Sequence, residues 1–262
     1  MAPGCGPQAV TGYLRDSTPH VGLRRVWDRV PDGRGLLSPS GSGPPHTPHP
    51  GSPSGDWDGP PPLSHATEWI ERSIQGNFGG QTREGMEITG CQVIGSTFTS
   101  AVLERARITD SVFRGCDLSG TILRGASFVR VEFVGCRMLG VTIPDGSFHD
   151  VRVTDCQMKM AVLRMARGAR IAFDRCDLRE ADFYAARIDG LRLFDCDLTG
   201  AEFSQAALAG ARLHGSRFDE LKGAAYLRGV VIDSAQIVPM ALQMFYGMGV
   251  KVDDERDPSG RA

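Results

Sequence analysis

Residues 171–203 read IAFDRCDLREADFYAARIDGLRLFDCDLTGAEF, with a large apolar residue at every fifth position. The same step runs from Ile88 to Phe218, and only Gly168 interrupts it among 27 positions. Two residues before most of these centres stands a small residue, Ala, Ser or Cys, and the other positions are largely charged, polar or Gly. Residues 86–220 are therefore one internally repeated region.

A period of five fits neither a straight helix nor a straight strand. Five helical steps of about 100° rotate each centre by roughly 140° from the last, so no apolar stripe forms. In a strand, an odd period sends successive centres to opposite faces. A short extended segment with both the small and the large residue pointing inward does fit, provided that the chain turns a corner after each segment. Repeated corners predict a coil whose turns stack on one apolar column.

Four segments carry a resemblance to a known family: CDLSG at 116–120, CDLRE at 176–180, ADFYA at 181–185 and CDLTG at 196–200. They resemble the consensus Ala-(Asp/Asn)-Leu-X-X of the pentapeptide-repeat proteins. The resemblance covers residues 86–220 and implies a right-handed quadrilateral parallel β-helix, an all-β solenoid with four pentapeptides per coil. It does not by itself name a function.

The rest of the chain divides by composition. Between Pro31 and Pro62, 22 of 32 residues are Pro, Gly or Ser, which cannot offset the entropy of ordering the chain. We therefore expect residues 1–64 to be a disordered tail. Residues 65–85 are expected to be an N-terminal cap over the first edge of the solenoid, and residues 253–262 a frayed acidic tail.

Residues 221–252 are predicted to close the solenoid, because an open end exposes apolar core and strand edges. Tyr226–Ile232 reads as a last strand, and Asp233 or Ser234 as the cap of a helix from Ala235 to Tyr246. The apolar face of this helix either covers the core or forms a homodimer interface. The segment is similar to the closing segments of pentapeptide-repeat proteins that dimerise through their C-termini. The candidate dimer residues are Met240, Met244, Phe245 and Met248.

Residues 20 apart stack if four pentapeptides make one coil. Five cysteines then form one column, Cys116, Cys136, Cys156, Cys176 and Cys196, and we expect them to be packed thiols rather than disulfides or metal ligands. Asp110, Arg130, Asp150 and Arg170 form another column, expected to be a ladder of ion pairs. Gly168 stands at a position where a large centre is expected. In one column, the usual small residues are replaced by Val131, Val151, Ile171 and Leu191, and we expect these larger side chains to compensate for the missing centre.

Acidic residues gather toward the C-terminal end of the repeats. This candidate partner-binding acidic patch consists of Asp177, Glu180, Asp182, Asp197, Glu202, Asp219 and Glu220. The alternative is that these charges only keep the solenoid soluble.

Composition and motifs exclude several classes of function. A net charge of −2 and a pI near 6.3 exclude a globally basic nucleic-acid-binding surface, so we expect no direct nucleic-acid partner. No secretory signal or membrane span is apparent, and the expected location is the cytoplasm. The sequence offers no convergent nucleophile, base or phosphate-binding loop, so we expect no enzyme, no cofactor and no metal.

Two functions fit these expectations. The first is a scaffold whose flat faces bind an unidentified protein. The second is implied by the resemblance, since some pentapeptide-repeat proteins mimic DNA and modulate a type II topoisomerase such as gyrase, protecting it from inhibitors or inhibiting it. Residues 86–220 hold 18 acidic and 17 basic residues, a balance of −1 that suits a DNA mimic poorly outside the acidic patch.

Overall fold

The computed structural model describes Leu63 and residues 68–251. The predicted disordered tail lies outside the described residues except for Leu63, and the predicted acidic tail of residues 253–262 lies outside them entirely. Leu63 is buried in the core, and its N–H donates to Gln81 Oε1 at 2.7 Å. This residue is therefore part of the folded domain, because it belongs to the hydrophobic core and is hydrogen-bonded to Gln81.

The described residues contain short strands that pair only in parallel. The strands are β1 (Glu68–Ile70), β2 (Ser73–Ile74), β3 (Thr82–Glu84), β4 (Glu87–Thr89), β5 (Gln92–Ile94), β6 (Val102–Glu104), β7 (Arg107–Thr109), β8 (Val112–Arg114), β9 (Ser127–Val134), β10 (Ser147–Thr154), β11 (Arg167–Asp174), β12 (Arg187–Asp189) and β13 (Arg192–Phe194). Phe128 pairs with Phe148, and Phe148 with Gly168, so the register step is 20 residues. The predicted parallel β-helix with four pentapeptides per coil is confirmed.

The ladder begins earlier than the sequence pattern indicates. Glu68 pairs with Glu87 and Trp69 with Ile88, so residues 68–84 form a coil of their own rather than only a cap. Trp69, Ile74 and Phe78 are buried and extend the apolar column. The step from Ile74 to Phe78 is four residues instead of five, and Trp69 and Ile74 therefore fall outside the five-residue period.

The core is a stack of side chains that repeat from coil to coil. Phenylalanines in successive coils stack with ring centroids 4.9–5.0 Å apart, as in Phe128 over Phe148 and Phe183 over Phe203. Each pentapeptide turns a corner at the residue two places after its centre, which has positive φ, as in Arg130 (φ 53°) and Asp150 (φ 57°). These corners are the turns that the five-residue period requires.

Gly168 leaves a defect in this core. A Cβ built on Gly168 would lie 1.9 Å from the carbonyl oxygen of Phe148, because the backbone of Gly168 approaches the preceding coil directly. An apolar cavity of about 20 Å³ remains inside, lined in part by Phe148, Ile171 and Ile188. The larger residues predicted to compensate for the missing centre therefore fill the space only in part.

The C-terminal closure follows a different path from the predicted one. The predicted capping strand is reduced to one bridge between Arg212 and Val231, and a 3-10 helix η1 (Ala224–Tyr226) precedes it. Gly223 has φ 74°, and a Cβ there would lie 2.3 Å from the Ser204 nitrogen, so the chain leaves extended geometry at this point.

A 3-10 turn η2 (Ser234–Gln236) leads into helix α1 (Ile237–Gly247). Asp233 caps η2 by accepting the Gln236 N–H, and Gln236 Oε1 accepts the Asp233 N–H in return. The Gln236 side-chain amide also donates to the carbonyls of Leu213 and Ser216, at 2.6 Å each. The helix start is thereby fixed to the last coil.

Candidate functional site

The four faces of the solenoid carry its candidate binding surfaces. We name them after successive pentapeptides: face A contains Ile108, face B Phe113, face C Leu118 and face D Leu123, each with its register partners 20 residues away. On each face the residues just before and after the centre point outward, so every face presents columns of side chains one residue wide.

The predicted acidic patch lies on faces C and D. Asp177 pairs in register with Asp197, and Asp182 with Glu202, so these carboxylates do stack as the 20-residue period requires. Four of the seven carboxylates nevertheless form ion pairs. These pairs are Asp177 with Arg179 at 2.6 Å, Glu180 with Lys159 at 3.0 Å, Asp182 with Arg164 at 2.9 Å and Asp197 with Arg217 at 3.2 Å.

Pairing changes the electrostatics of this patch. The Arg179 guanidinium donates two hydrogen bonds to Asp177 and holds the pKa of that carboxyl below its ordinary value. Glu202 accepts the Ser204 N–H and stacks in register with Lys222. Asp219 and Glu220 are exposed at the last coil. The patch is thus a mixed-charge surface rather than a dense negative one.

The predicted ion-pair ladder on the corner after face A consists of two separate pairs. Arg130 Nη2 donates to Asp110 Oδ2 at 2.7 Å, and Arg170 Nη2 donates to Asp150 Oδ2 at 2.8 Å. Each arginine makes a second hydrogen bond through Nε to the same carboxylate, so both contacts are bidentate. These pairs hold neighbouring coils in register.

Face D carries an apolar surface that the sequence patterns did not reveal. Val102, Ile122, Thr142 and Val162 are in register just before their centres, where the other three faces carry mostly charged or polar residues. Met160 and Met165 stand at the two corners beside Val162 and are 56% and 43% exposed. We call Val102, Ile122, Val162, Met160 and Met165 the face D stripe. Sorting the residues before each centre into four columns of period 20 would have found it.

The candidate dimer residues of helix α1 divide between its two sides. Met240 is buried in the core and Met244 packs against it, so these two close the solenoid. Phe245 and Met248 are exposed, together with further apolar side chains on the outer side of the helix. We call this outer set the C-terminal apolar surface: Ile237, Val238, Leu242, Phe245, Tyr246 and Met248. Of the four candidates, Met240 is the one whose side chain the helix turns into the core, so the exposed candidates are Phe245 and Met248.

The five stacked cysteines are buried and free, as is Cys91 in a neighbouring column. Their thiols contact backbone carbonyls, for example Cys116 Sγ with the Val93 oxygen at 3.3 Å. The neighbouring Cys136 and Cys176 thiols, together with burial, raise the pKa of Cys156 above its ordinary value. Cys156 is therefore a protonated packing residue at neutral pH.

Two family models match segments of the repeated region. A family model described as "Pentapeptide repeat region" matches residues 126–203, and one described as "Pentapeptide repeats (8 copies)" matches residues 101–140 and 192–220. The solenoid belongs to the pentapeptide-repeat family. No curated protein matches the chain in sequence.

Solved pentapeptide-repeat structures resemble this one. Trypsin-treated QnrB1, described as a plasmid-mediated fluoroquinolone resistance protein, is 24% identical over 72% of this chain and 98% of its own, with a TM-score of 0.39. HetL, from the cyanobacterium Nostoc and involved in heterocyst differentiation regulation, is 17% identical over 63% of this chain and 84% of its own, with a TM-score of 0.29. Rfr23, a pentapeptide-repeat protein from the cyanobacterium Cyanothece, is 10% identical over 65% of this chain and 95% of its own, also with a TM-score of 0.29.

Within the described part of this pentapeptide-repeat protein, no group of three or more His, Cys, Asp or Glu side chains is arranged to hold a metal ion. Across residues 68–251, no helix has the length and apolarity needed to span a membrane. The surfaces that the pentapeptide-repeat solenoid offers are its flat faces and the C-terminal helix.

Proposed function

We propose that this protein is a non-enzymatic scaffold that binds another protein through a flat outer face of its solenoid. The observation that carries this proposal is the face D stripe, a column of outward β-branched residues flanked by exposed Met160 and Met165. Small-molecule sites are concave pockets, whereas flat surfaces with exposed apolar side chains are typical of protein interfaces. A partner protein is therefore the ligand class that best fits this face.

The stripe has the physical properties of an interface centre. Its β-branched side chains have few rotamers to lose on binding, and its backbone is held by the parallel ladder. Methionine side chains adapt to irregular partner surfaces. The ion pairs Lys159–Glu180 and Arg164–Asp182 lie beside the stripe and form a polar rim.

Affinity capture from native lysate with matched variants tests this proposal. We expect wild-type protein to capture a partner and the I122K/V162K variant to lose it, because two lysines on the stripe prevent apolar contact. The control is V129K/V134K, which places the same charges at half-buried valines on faces A and B. Circular dichroism confirms the fold of each variant. Equal capture by all three proteins would contradict binding through face D.

The alternative function, DNA mimicry toward gyrase, fits this surface less well. A DNA mimic needs dense uncompensated negative charge, and Asp177, Asp182 and Asp197 are each paired with an arginine. We therefore expect no change in gyrase supercoiling at stoichiometric protein. Inhibition or protection of gyrase that is lost when these aspartates are changed to lysine would favour the mimic over the scaffold.

The C-terminal apolar surface supports a second element of the proposal, a homodimer. Val238, Leu242 and Tyr246 are 67%, 48% and 75% exposed on one helix of eleven residues. A second copy covering this surface would remove several large apolar side chains from water. The scaffold would then present each face twice.

A further inference from the structure

Two pairs of arginines stand in register near the C-terminal end of the solenoid. Arg167 pairs with Arg187 across β11 and β12 on face A, and Arg192 pairs with Arg212 on face B. Arg167, Arg187 and Arg212 are exposed. Faces A and B are adjacent, so the two pairs lie on neighbouring sides of the same coils.

The pair on face A consists of two like charges in register. Several other charged residues stand over a residue of opposite charge in the next coil and pair with it, as Glu87 does with Arg107 and Asp150 with Arg170. Arg167 and Arg187 form no ion pair with any residue in the described part of the chain. Like charges directly opposite one another on neighbouring strands repel. An anionic group placed between the two guanidinium groups would remove this repulsion.

Face B adds aromatic side chains to the positive charge. Strand β13 reads Arg192-Leu193-Phe194, and the segment bridged to it at Arg212 reads Arg212-Leu213-His214, with each leucine buried and its two neighbours pointing outward. The rings of Phe194 and His214 meet edge to face, with centroids 5.9 Å apart. Each of the two segments therefore presents an arginine beside an aromatic ring.

We propose that this arginine surface binds an acidic segment of a partner protein. It consists of Arg167, Arg187, Arg192, Arg212, Phe194 and His214. Guanidinium groups bind carboxylates with paired hydrogen bonds, and arginine and aromatic residues are enriched at the centres of protein interfaces. The proposal rests on the protein-binding function above and adds the chemistry of the partner.

The charge of the whole molecule favours a peptide over a nucleic acid. The chain has a net charge of −2, and faces C and D carry the carboxylates of the acidic patch. A long polyanion that extended beyond the arginine surface would meet the exposed carboxylates of Asp219 and Glu220. Asp189 and Asp195 also lie at this end of the solenoid, so the positive region is local and suits a short acidic segment.

Fluorescence anisotropy with the full-length protein and a labelled decaglutamate peptide tests this proposal. We expect wild-type protein to bind the peptide and R187Q/R212Q to weaken binding at least tenfold. The matched control is R105Q/R124Q, which removes the same charge from Arg105 at the corner after face D and from Arg124 on face D, which pair with Glu84 and Glu104. This control should bind within twofold of wild type. A labelled ten-nucleotide oligothymidine serves as the nucleic-acid comparison.

Three outcomes would overturn the proposal: no decaglutamate binding by the wild type, equal weakening in both variants, or tighter binding of the oligothymidine than of the peptide. The titration does not involve the face D stripe. A negative titration would therefore contradict only the acidic-segment proposal. The scaffold function is tested separately by the capture experiment with I122K/V162K.

Discussion

Replacing Gly168 with leucine restores the large centre that the five-residue pattern lacks, yet we expect it to destabilise the protein. Consensus logic predicts the opposite, because filling a missing repeat position commonly stabilises a protein. The backbone geometry decides the outcome. A Cβ at residue 168 would lie 1.9 Å from the Phe148 carbonyl oxygen, whereas ordinary contact begins at 3.4 Å.

The size of the effect follows from that distance. The two coils must separate locally by about 1.5 Å, the difference between 3.4 and 1.9 Å, and hydrogen bonds between β10 and β11 cannot stretch that far. Losing two or three ladder hydrogen bonds costs about 2–3 kcal/mol, at about 1 kcal/mol each. Filling the cavity of about 20 Å³ returns only about 0.5 kcal/mol. The net loss is about 2 kcal/mol.

Guanidinium unfolding followed by circular dichroism measures this loss. G168A should lose nearly as much as G168L, because the clash begins at Cβ. The control is G140A, where φ is 61° and a Cβ meets nothing within 4 Å, so it should cost only about 1–2 kcal/mol for the left-handed backbone. A G168L variant as stable as wild type, or more stable, would refute the reasoning.

Three further predictions concern assembly, pH and thiol reactivity. Light scattering of the full chain should give twice the monomer mass and fall to the monomer for L242E; a monomeric wild type would contradict the dimer. The Arg170 guanidinium lowers the pKa of Asp150 in the folded protein. The ion pair therefore stabilises the fold at pH values above the unfolded-state pKa of Asp150, and this contribution is lost as the pH falls through the lower folded-state pKa. D150N should therefore lower the unfolding free energy by at most about 1 kcal/mol at pH 7 and by less at pH 3. An equal loss at both pH values would contradict a contribution of the Asp150 charge to stability. Ellman's reagent should leave the six buried cysteines unmodified until guanidinium unfolds the protein. Rapid modification of Cys156 in the native protein, identified by its loss in a C156A control, would contradict this prediction and show that the core opens.

The sequence period was sufficient to predict the solenoid, because each centre must face inward in every coil. It could not locate the first coil, since the four-residue step from Ile74 to Phe78 shifts Trp69 and Ile74 out of phase. The C-terminal path was also not predictable from propensity. Val230, Val231 and Ile232 favour a strand, but the chain has already left extended geometry at Gly223.

The charge of the candidate surfaces depended on contacts between coils. Counting carboxylates along one column predicts an acidic patch, but Arg164 reaches Asp182 and Lys159 reaches Glu180 from the preceding coil. Such pairs join residues 18 and 21 apart, so they follow only from the register together with side-chain direction. The positive charge of the arginine surface was visible in the sequence, whereas it was not visible that Arg167 and Arg187 have no carboxylate partner among residues 68–251.

The 20-residue register also determines how this molecule can change in length. Removing a whole coil would shorten the solenoid by about 4.8 Å and leave every remaining residue on its own face. Removing five residues would instead rotate everything that follows by one face. A five-residue loss between Arg167 and Arg187 would move Arg187 out of its column and into the place of Asp182 on face D. The coil, rather than the pentapeptide, is therefore the unit that can be gained or lost while the binding surfaces are kept.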